Sequence, residues 1–431
     1  MPASSPKISL ITLGCAKNVV DSERMLGLLR ANGYEFVEDP ARADLVIVNT
    51  CGFIGPAKEE SIDTIMGATR YGRKLIVTGC MAERYRSELE KELTEADRIL
   101  GLADERDIVR HCDELLGTSP RASYRASSRQ LLTPSHWAYL RIADGCDHRC
   151  SFCAIPNIKG PYRSEPMEDL IREAREFTEQ GVRELILVAQ DTTRYGVDLY
   201  GAPRLSNLLR ALSEIPDLLW IRLMYTYPGR WDDELIECFA RTPKLCRYVD
   251  IPLQHISDRI LHRMRRRTTS AEIRGLIERL RERIPGVALR TAFILGFPGE
   301  TDAEFEELLA FVEETRFERL GAFAYSQEEG TPAAAYEEQV SEEVKEERLR
   351  RLMTLQQGIS AEIGASQVGR HIPVLIDHED ERGYIGRTEW DAPDVDGEVW
   401  VEGENLLAGR FVDVEITGAS KYDLAGKTLK A

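Results

Sequence analysis

The sequence predicts an α/β protein in three parts. They are an amino-terminal parallel α/β domain, a partial (β/α)6 barrel, and a small carboxy-terminal β-barrel of the OB type. Three observations predict it. Apolar, β-rich runs alternate with helical patterns from the amino terminus to about residue 335. After one long helical stretch the pattern shortens to brief strands separated by Gly and Asp turns. Cysteines stand directly after several predicted strands, the edge at which parallel sheets collect their ligands.

In residues 1–118 the strands are expected at Lys7–Leu13, Asp44–Val48 and Lys74–Thr78, with a helix from Asp21 to about Ala31 that Gly33 stops. Continuous apolar strands separated by helices imply a parallel sheet covered on both faces. Residues 119–135 are poor in large apolar groups and rich in Ser, Arg and Thr, which reads as a linker. Residues 136–364 hold six further strands, near Trp137–Ile142, Glu184–Ala189, Trp220–Tyr225, Tyr248–Ile251, Ala288–Leu295 and Arg319–Tyr325, then a helix from Ser341 to about Gly364. Val344, Leu352, Leu355, Ile359 and Ile363 form the apolar stripe of that helix. Residues 365–431 carry the short strands Ile372–Ile376, Gly383–Arg387, Glu398–Val401 and Phe411–Ile416.

Composition narrows the function. A 43% hydrophobic and 30% charged chain without a long apolar run is expected to be cytoplasmic and to have no membrane partner. The amino-terminal residues lack an apolar signal core. A net charge of −17 disfavours nucleic acid unless charge is segregated. In a reducing compartment the nine cysteines are not a disulfide framework, and their clustering reads as metal binding.

The sharpest motif is Cys146-Asp147-His148-Arg149-Cys150-Ser151-Phe152-Cys153, spaced CxxxCxxC just past the first barrel strand. Barrels of this kind place their active sites at that end of the strands. Three thiolates so close can hold three irons of a [4Fe–4S] cubane and leave the fourth open. An open iron can take the amino and carboxylate groups of S-adenosylmethionine (SAM) and pass an electron to its sulfonium, releasing an adenosyl radical. A zinc site is the alternative. It wants four ligands in paired sets, and His148 lies inside the triplet, where its geometry is poor. Phe152 is an apolar shield expected beside a cluster.

Cys15, Cys51 and Cys80 are far apart in sequence. Taken singly, each reads as readily as a buried core thiol. Together they share a position, each following the carboxyl end of a predicted parallel strand, and three thiols on one rim can hold a second cluster. Cys112, Cys238 and Cys246 have no such context and are expected to be structural.

Polar groups at strand ends are the candidate cofactor contacts: Gln190 and Asp191 after the second barrel strand, Gln254 and His255 after the fourth. His255 serves equally as a turn residue. Gly296 opens a turn after the fifth strand that either supports the adenine or ribose of a cofactor or only leads into the next helix, with Thr301 or Asp302 as its cap. Arg263-Met264-Arg265-Arg266-Arg267 is the one dense basic run, readable as an anion-binding patch or a solvated helix face.

These residues resemble the methylthiotransferases, a branch of the radical SAM enzymes. The resemblance covers essentially the whole chain in the family's order of cluster domain, radical SAM barrel and TRAM barrel. It is closer to the branch that modifies a ribosomal protein than to the branch that modifies tRNA. Ala16-Lys17-Asn18 follows the first cysteine, where the tRNA branch typically shows Gln-Met-Asn. The ribosomal-protein branch usually has Pro directly after that cysteine, and Ala16 departs from it. Further matches are Asp144–Arg149, Ile251–His255 and Tyr325–Pro332.

The resemblance implies two [4Fe–4S] clusters, the radical-generating one on Cys146, Cys150 and Cys153 and the sulfur-supplying one on Cys15, Cys51 and Cys80. It implies addition of a methylthio group to the β-carbon of an aspartate in ribosomal protein uS12. One SAM supplies the methyl group, a second supplies the radical, and an electron donor such as flavodoxin supplies the electron. The runner-up is a methylthiotransferase acting on a tRNA adenosine. Charge offers a partly independent check. From Arg370 to Ala431 there are 14 Asp or Glu against 7 Lys or Arg, which suits a basic ribosomal protein better than RNA.

Overall fold

The structure, a computed structural model, describes residues 5–118, 129–381 and 383–429. It forms two compact units. The first comprises Met1–Leu132, Asp144–His148 and Cys153–Tyr162; the second comprises Thr133–Ala143, Arg149–Phe152 and Arg163–Ala431.

In the first unit, strands β1 (Lys7–Thr12), β2 (Glu35–Phe36), β3 (Leu45–Thr50), β4 (Lys74–Gly79) and β5 (Arg98–Ile99) form a parallel sheet in the order β2-β1-β3-β4-β5. Every residue of β3 is buried. Its alternate side chains serve opposite faces, as strand pleating requires. Leu45 and Ile47 join Met25, Leu26 and Ile108 on one side, while Val46 and Val48 join Ile65 and Ala68 on the other. The two edge strands are two residues long, too short to show any sequence period. Helix α1 spans Ala16–Ala31, so it starts directly after Cys15 rather than at Asp21. Helices α2 (Gly55–Thr69) and α3 (Cys80–Arg84) follow β3 and β4.

Residues 119–128 of the expected linker lie outside the described residues. Its next residues are fixed rather than free. Arg129 pairs with Glu23 at 2.8 Å with both side chains buried. Gln130 and Leu132 donate backbone N–H groups to the Glu23 carbonyl (3.1 Å) and carboxylate (2.8 Å).

In the second unit, β6 (Trp137–Arg141), β7 (Glu184–Val188), β8 (Trp220–Leu223), β9 (Leu245–Asp250), β10 (Ala288–Leu295) and β11 (Arg319–Ala324) form one parallel sheet in sequence order. This is the arrangement the strand–helix alternation predicts. The long helix spans Glu342–Ala365. Its buried face differs from the apolar stripe, since Val344 is exposed and Lys345, Arg348 and Gln356 are buried with Leu352 and Ile359. Each polar member has at least one partner; Lys345 pairs with Glu342 at 2.6 Å. Arg348 pairs with Glu300 at 3.0 Å, and Gln356 donates to the Phe317 carbonyl at 2.9 Å.

The carboxy-terminal strands β12 (His371–Asp380), β13 (Gly383–Arg387), β14 (Val399–Glu402), β15 (Phe411–Ala419) and β16 (Leu424–Thr428) close into a barrel in the order β12-β13-β14-β16-β15. β16, read LAGKT, lacks the apolar alternation that would mark it in the sequence.

Charged groups join this small barrel to the amino ends of the larger barrel's strands. Glu184, the first residue of β7, receives Arg222 at 2.7 Å and Arg387 at 2.9 Å. Arg387 also holds Asp377, which bonds His136 at 2.7 Å. Asp396 takes Arg290 at 3.2 Å and the Tyr248 hydroxyl at 2.7 Å, and Asp391 takes Arg319. Part of the acidic surplus of the carboxy-terminal domain is therefore internal. Asp377 neutralises the buried Arg387, and Asp391 and Asp396 the partly buried Arg319 and Arg290, so that surplus speaks less for a basic partner than the residue count suggests. Among the described residues no helix is long and apolar enough to cross a membrane.

Candidate active site

The register of the first sheet brings three cysteines to one edge. Thr12 pairs with Asn49, Asn49 with Thr78 and Thr50 with Gly79, so β1, β3 and β4 end level. Neighbouring strands lie about 4.8 Å apart. Cys15, Cys51 and Cys80 follow those ends in turn. Close packing holds them there. A Cβ on Gly14 would lie 2.8 Å from Cys51 Cβ, and one on Gly52 would lie 2.6 Å from Met81 Cα. Both positions exclude a side chain because the next cysteine-bearing segment occupies the space.

A polar scaffold lies under the edge. Asn18 is buried and donates its amide to the carbonyls of Leu13 (2.9 Å) and Thr50 (3.0 Å). The Cys80 thiol donates to the Asn18 amide oxygen at 3.6 Å. Asn49 donates to the Asn18 carbonyl (3.0 Å) and to Ser22 Oγ (2.9 Å). Ser61 Oγ accepts the Cys51 N–H at 3.1 Å.

Burial pushes the Cys51 and Cys80 thiols above their ordinary range. For Cys80 the ammonium of Lys159 opposes that shift, and the neighbouring Cys15 and Cys51 reinforce it. A metal loading this edge must displace those protons. Among the described residues no three His, Cys, Asp or Glu side chains converge as ligands of a single metal ion. A cubane places its thiolates on separate irons and asks for no such convergence.

The CxxxCxxC loop divides between the units. Cys146 and Cys153 belong to the first, Cys150 to the second. In the first, the Cys146 N–H donates to the Gly160 carbonyl at 3.1 Å. Ala154 and Ile158, just past Cys153, pack with Cys80 and Leu102. Lys159 is buried and reaches Asp21 at 2.8 Å and Asp144 at 3.8 Å. The helix after the motif thus contacts a cysteine of the sheet edge, a link that no spacing in the sequence reveals.

In the second unit, Ser151 is anchored on both sides. Its N–H donates to the Met264 carbonyl (3.0 Å), its hydroxyl to the Arg263 carbonyl (2.8 Å), and its carbonyl accepts the Ala333 N–H (2.8 Å). Phe152 packs on Ile260, Met264, Phe297 and Tyr325, which gives the motif the apolar flank its position suggests. Cys150 is buried, with the Arg266 guanidinium 4.0 Å from its sulfur. Arg266 was visible only as part of the basic run.

The other expected contacts occupy varied settings. Gln190 follows β7, and among the described residues its buried amide oxygen has no hydrogen-bond partner, which leaves an acceptor open to a polar cofactor. Asp191 accepts from Thr193 Oγ1 at 2.5 Å and faces Arg230 at 3.5 Å. Gln254 is held in the left-handed region (φ 74°) and bridges Phe293, a strained backbone of the kind that gathers at functional sites. His255 is fully buried. Its Nδ1 accepts the Ser257 N–H at 3.0 Å and its Nε2 lies 3.8 Å from Glu300. Gly296 packs against the aliphatic chain of Lys345. Thr301 caps the helix Asp302–Thr315 in a capping box with Glu304, the simpler of the two readings of that turn. Cys112, Cys238 and Cys246 are buried, Cys112 in the core that Leu45 and Ile47 share with Met25 and Leu26.

A partial parallel barrel with a three-cysteine loop after its first strand defines a radical SAM enzyme. Residues 140–312 match the radical SAM superfamily, residues 7–101 match the uncharacterized protein family UPF0004, and residues 368–429 match the TRAM domain. Among solved structures, the radical SAM methyltransferase TsrM from Kitasatospora setae is similar at a TM-score of 0.55 and 14% identity, over 87% of this chain and 79% of that one. That likeness concerns the fold alone. The ribosomal protein uS12 methylthiotransferase RimO of Desulforamulus reducens is 47% identical over 98% of this chain and 99% of the relative. The RimO proteins of Heliobacterium modesticaldum and Porphyromonas gingivalis are each 48% identical, over 98% and 97% of this chain and 95% and 98% of their own lengths. The chain belongs to the RimO family of methylthiotransferases.

Proposed function

We propose that this protein adds a methylthio group to the β-carbon of an aspartate in ribosomal protein uS12, in the cytoplasm, replacing a C–H bond with a C–S bond. The reading is supported by its near full-length similarity to RimO proteins. Cys146, Cys150 and Cys153 hold one [4Fe–4S] cluster, and Cys15, Cys51 and Cys80 hold the second. When bound, these clusters and two molecules of SAM supply a hydrogen-abstracting radical, a methyl group and sulfur.

The protein's own residues position and shield. Phe152 and its apolar neighbours keep water from the radical site. The open acceptor of Gln190 is offered to the amino group of SAM, and Asp191 and the strained Gln254 shape the same rim. His255 and Gly296 support that rim from behind. Asn18 and Ser61 fix the sheet edge that carries the second thiol trio. A flavodoxin-like carrier supplies electrons. This reading takes the domains as 1–118, 136–364 and 365–431 with 119–135 as the linker.

The test is to express the gene in cells lacking either methylthiotransferase activity, then to weigh uS12 and digest the tRNA. One methylthio group on uS12 is expected. A methylthio group on a tRNA adenosine alone would favour the runner-up.

A further inference from the structure

The basic run Arg263–Arg267 lines a surface groove of about 820 Å³ together with Ala335–Glu338. Two of its guanidiniums are already held. Arg263 pairs with Glu338 at 3.1 Å and stacks on Tyr336. Arg266 donates to the Pro252 carbonyl at 2.7 Å, stacks on Tyr227 with 4.4 Å to the ring centre, and touches Cys150. Arg265 and Arg267 are exposed, and among the described residues neither guanidinium has a partner. The same is true of Arg149, the residue before Cys150. In a chain of net charge −17 this is a local positive patch, and it adjoins one thiol of the CxxxCxxC loop.

We propose that this patch is the docking surface for an acidic one-electron carrier protein that reduces the cluster held by Cys146, Cys150 and Cys153. The inference rests on the cluster assignment above and adds the partner's place. In the step, the carrier loses one electron and the cluster gains one; no bond is made and no proton is required. Electron transfer weakens steeply with distance, so a carrier gains most by docking where a cluster ligand meets the surface. Arg266 links the two, since it lines the groove and its guanidinium lies 4.0 Å from the sulfur of the buried Cys150. A positive patch on an otherwise acidic molecule focuses an acidic partner onto it and raises its association rate.

The occupant follows from the same residues. The substrate uS12, rich in lysine and arginine, is repelled here. RNA is disfavoured because Glu337 and Glu338 stand on the facing wall, against a continuous phosphate chain. A protein of interspersed charge tolerates them, and arginines stacked on tyrosines are common anchors of protein interfaces.

The test uses the full-length protein carrying Arg265→Asp and Arg267→Glu together. Both residues are exposed, and Asp suits the left-handed backbone at position 265 (φ 56°). Binding of oxidised flavodoxin is measured by calorimetry across a salt series, first on the protein without clusters. The variant is expected to bind at least about ten-fold more weakly with a flatter salt dependence. With clusters loaded, reduction by flavodoxin hydroquinone slows to match, whereas reduction by photoreduced deazaflavin, small and uncharged, does not. Unchanged flavodoxin binding would overturn the proposal. So would flavodoxin binding that survives while affinity for small-subunit ribosomal RNA is lost. If the wild type binds flavodoxin and is reduced but never modifies uS12 with a chemical reductant, the functional reading fails and the docking surface stands.

Discussion

The Asn18 amide oxygen lies 3.6 Å from the Cys80 sulfur, while its nitrogen bonds the carbonyls that close the other two cysteine-bearing turns. One buried side chain therefore ties together the segments that carry Cys15, Cys51 and Cys80. Asn18→Ala removes the buried amide that the Leu13 and Thr50 carbonyls both accept. Urea unfolding of the cluster-free protein is expected to show a loss of roughly 2–3 kcal/mol. Iron uptake at this edge falls with it. Unchanged stability would mean that Asn18 does not organise the edge.

Gly52 provides a more local test. A methyl group there would press on Met81 Cα at 2.6 Å and drive α3, with Cys80, away from Cys51. Gly52→Ala is predicted to lose the iron of the first trio and to keep SAM cleavage. Iron analysis beside a cleavage assay separates the two effects.

Glu184 lies between Arg222 and Arg387 with all three side chains buried. Removing its charge by Glu184→Gln leaves the buried Arg222 without a carboxylate partner, whereas Arg387 keeps Asp377. The cost is expected to be about 3–5 kcal/mol, read as a lowered denaturation midpoint. A change below about 0.5 kcal/mol, the range of ordinary surface substitutions, would show that water or relaxation compensates the arginines.

The buried pair His255 and Glu300 has opposite pH dependences. Burial holds the His255 ring near about 3, below its ordinary 6.5, so its contribution to stability is present above pH 6.5 and is lost as pH falls toward 3. Burial raises Glu300 to about 7 against the pull of Arg348. Its contribution is present below pH 4.5 and is lost as pH rises toward 7. His255→Asn retains an acceptor for the Ser257 N–H. Between pH 6.5 and 4.5 the wild type is expected to lose up to about 1.4 kcal/mol per pH unit more than this variant. Parallel pH profiles would contradict the neutral, buried ring.

Much of this architecture was legible in the sequence because its signals are local. Long apolar strands announce a covered parallel sheet, and Cys15, Cys51 and Cys80 each stand directly after one. What escaped depends on contacts between distant segments. The two-residue strands Glu35–Phe36 and Arg98–Ile99 exist only by pairing with longer neighbours. The buried face of Glu342–Ala365 carries Lys345 and Arg348, which pattern reading assigns to solvent, because Glu300 and Asp302 wait for Arg348 in the fold. Lys159 gives no sign of its place until Asp21 and Asp144 are brought to it. Likewise Asp391 and Asp396 read as surface charge until Arg319 and Arg290 of the larger barrel appear beside them, and Asp377 until Arg387 and His136 do.

The central claim is that two trios of cysteines hold two separate clusters, and the most direct measurement is iron and sulfide content after anaerobic reconstitution. The wild type is compared with two triple Cys→Ala variants, one at positions 15, 51 and 80 and one at 146, 150 and 153. Each variant is predicted to retain half the iron of the wild type, and only the first to cleave SAM. Full iron in either variant, or SAM cleavage without Cys146, Cys150 and Cys153, would contradict the account.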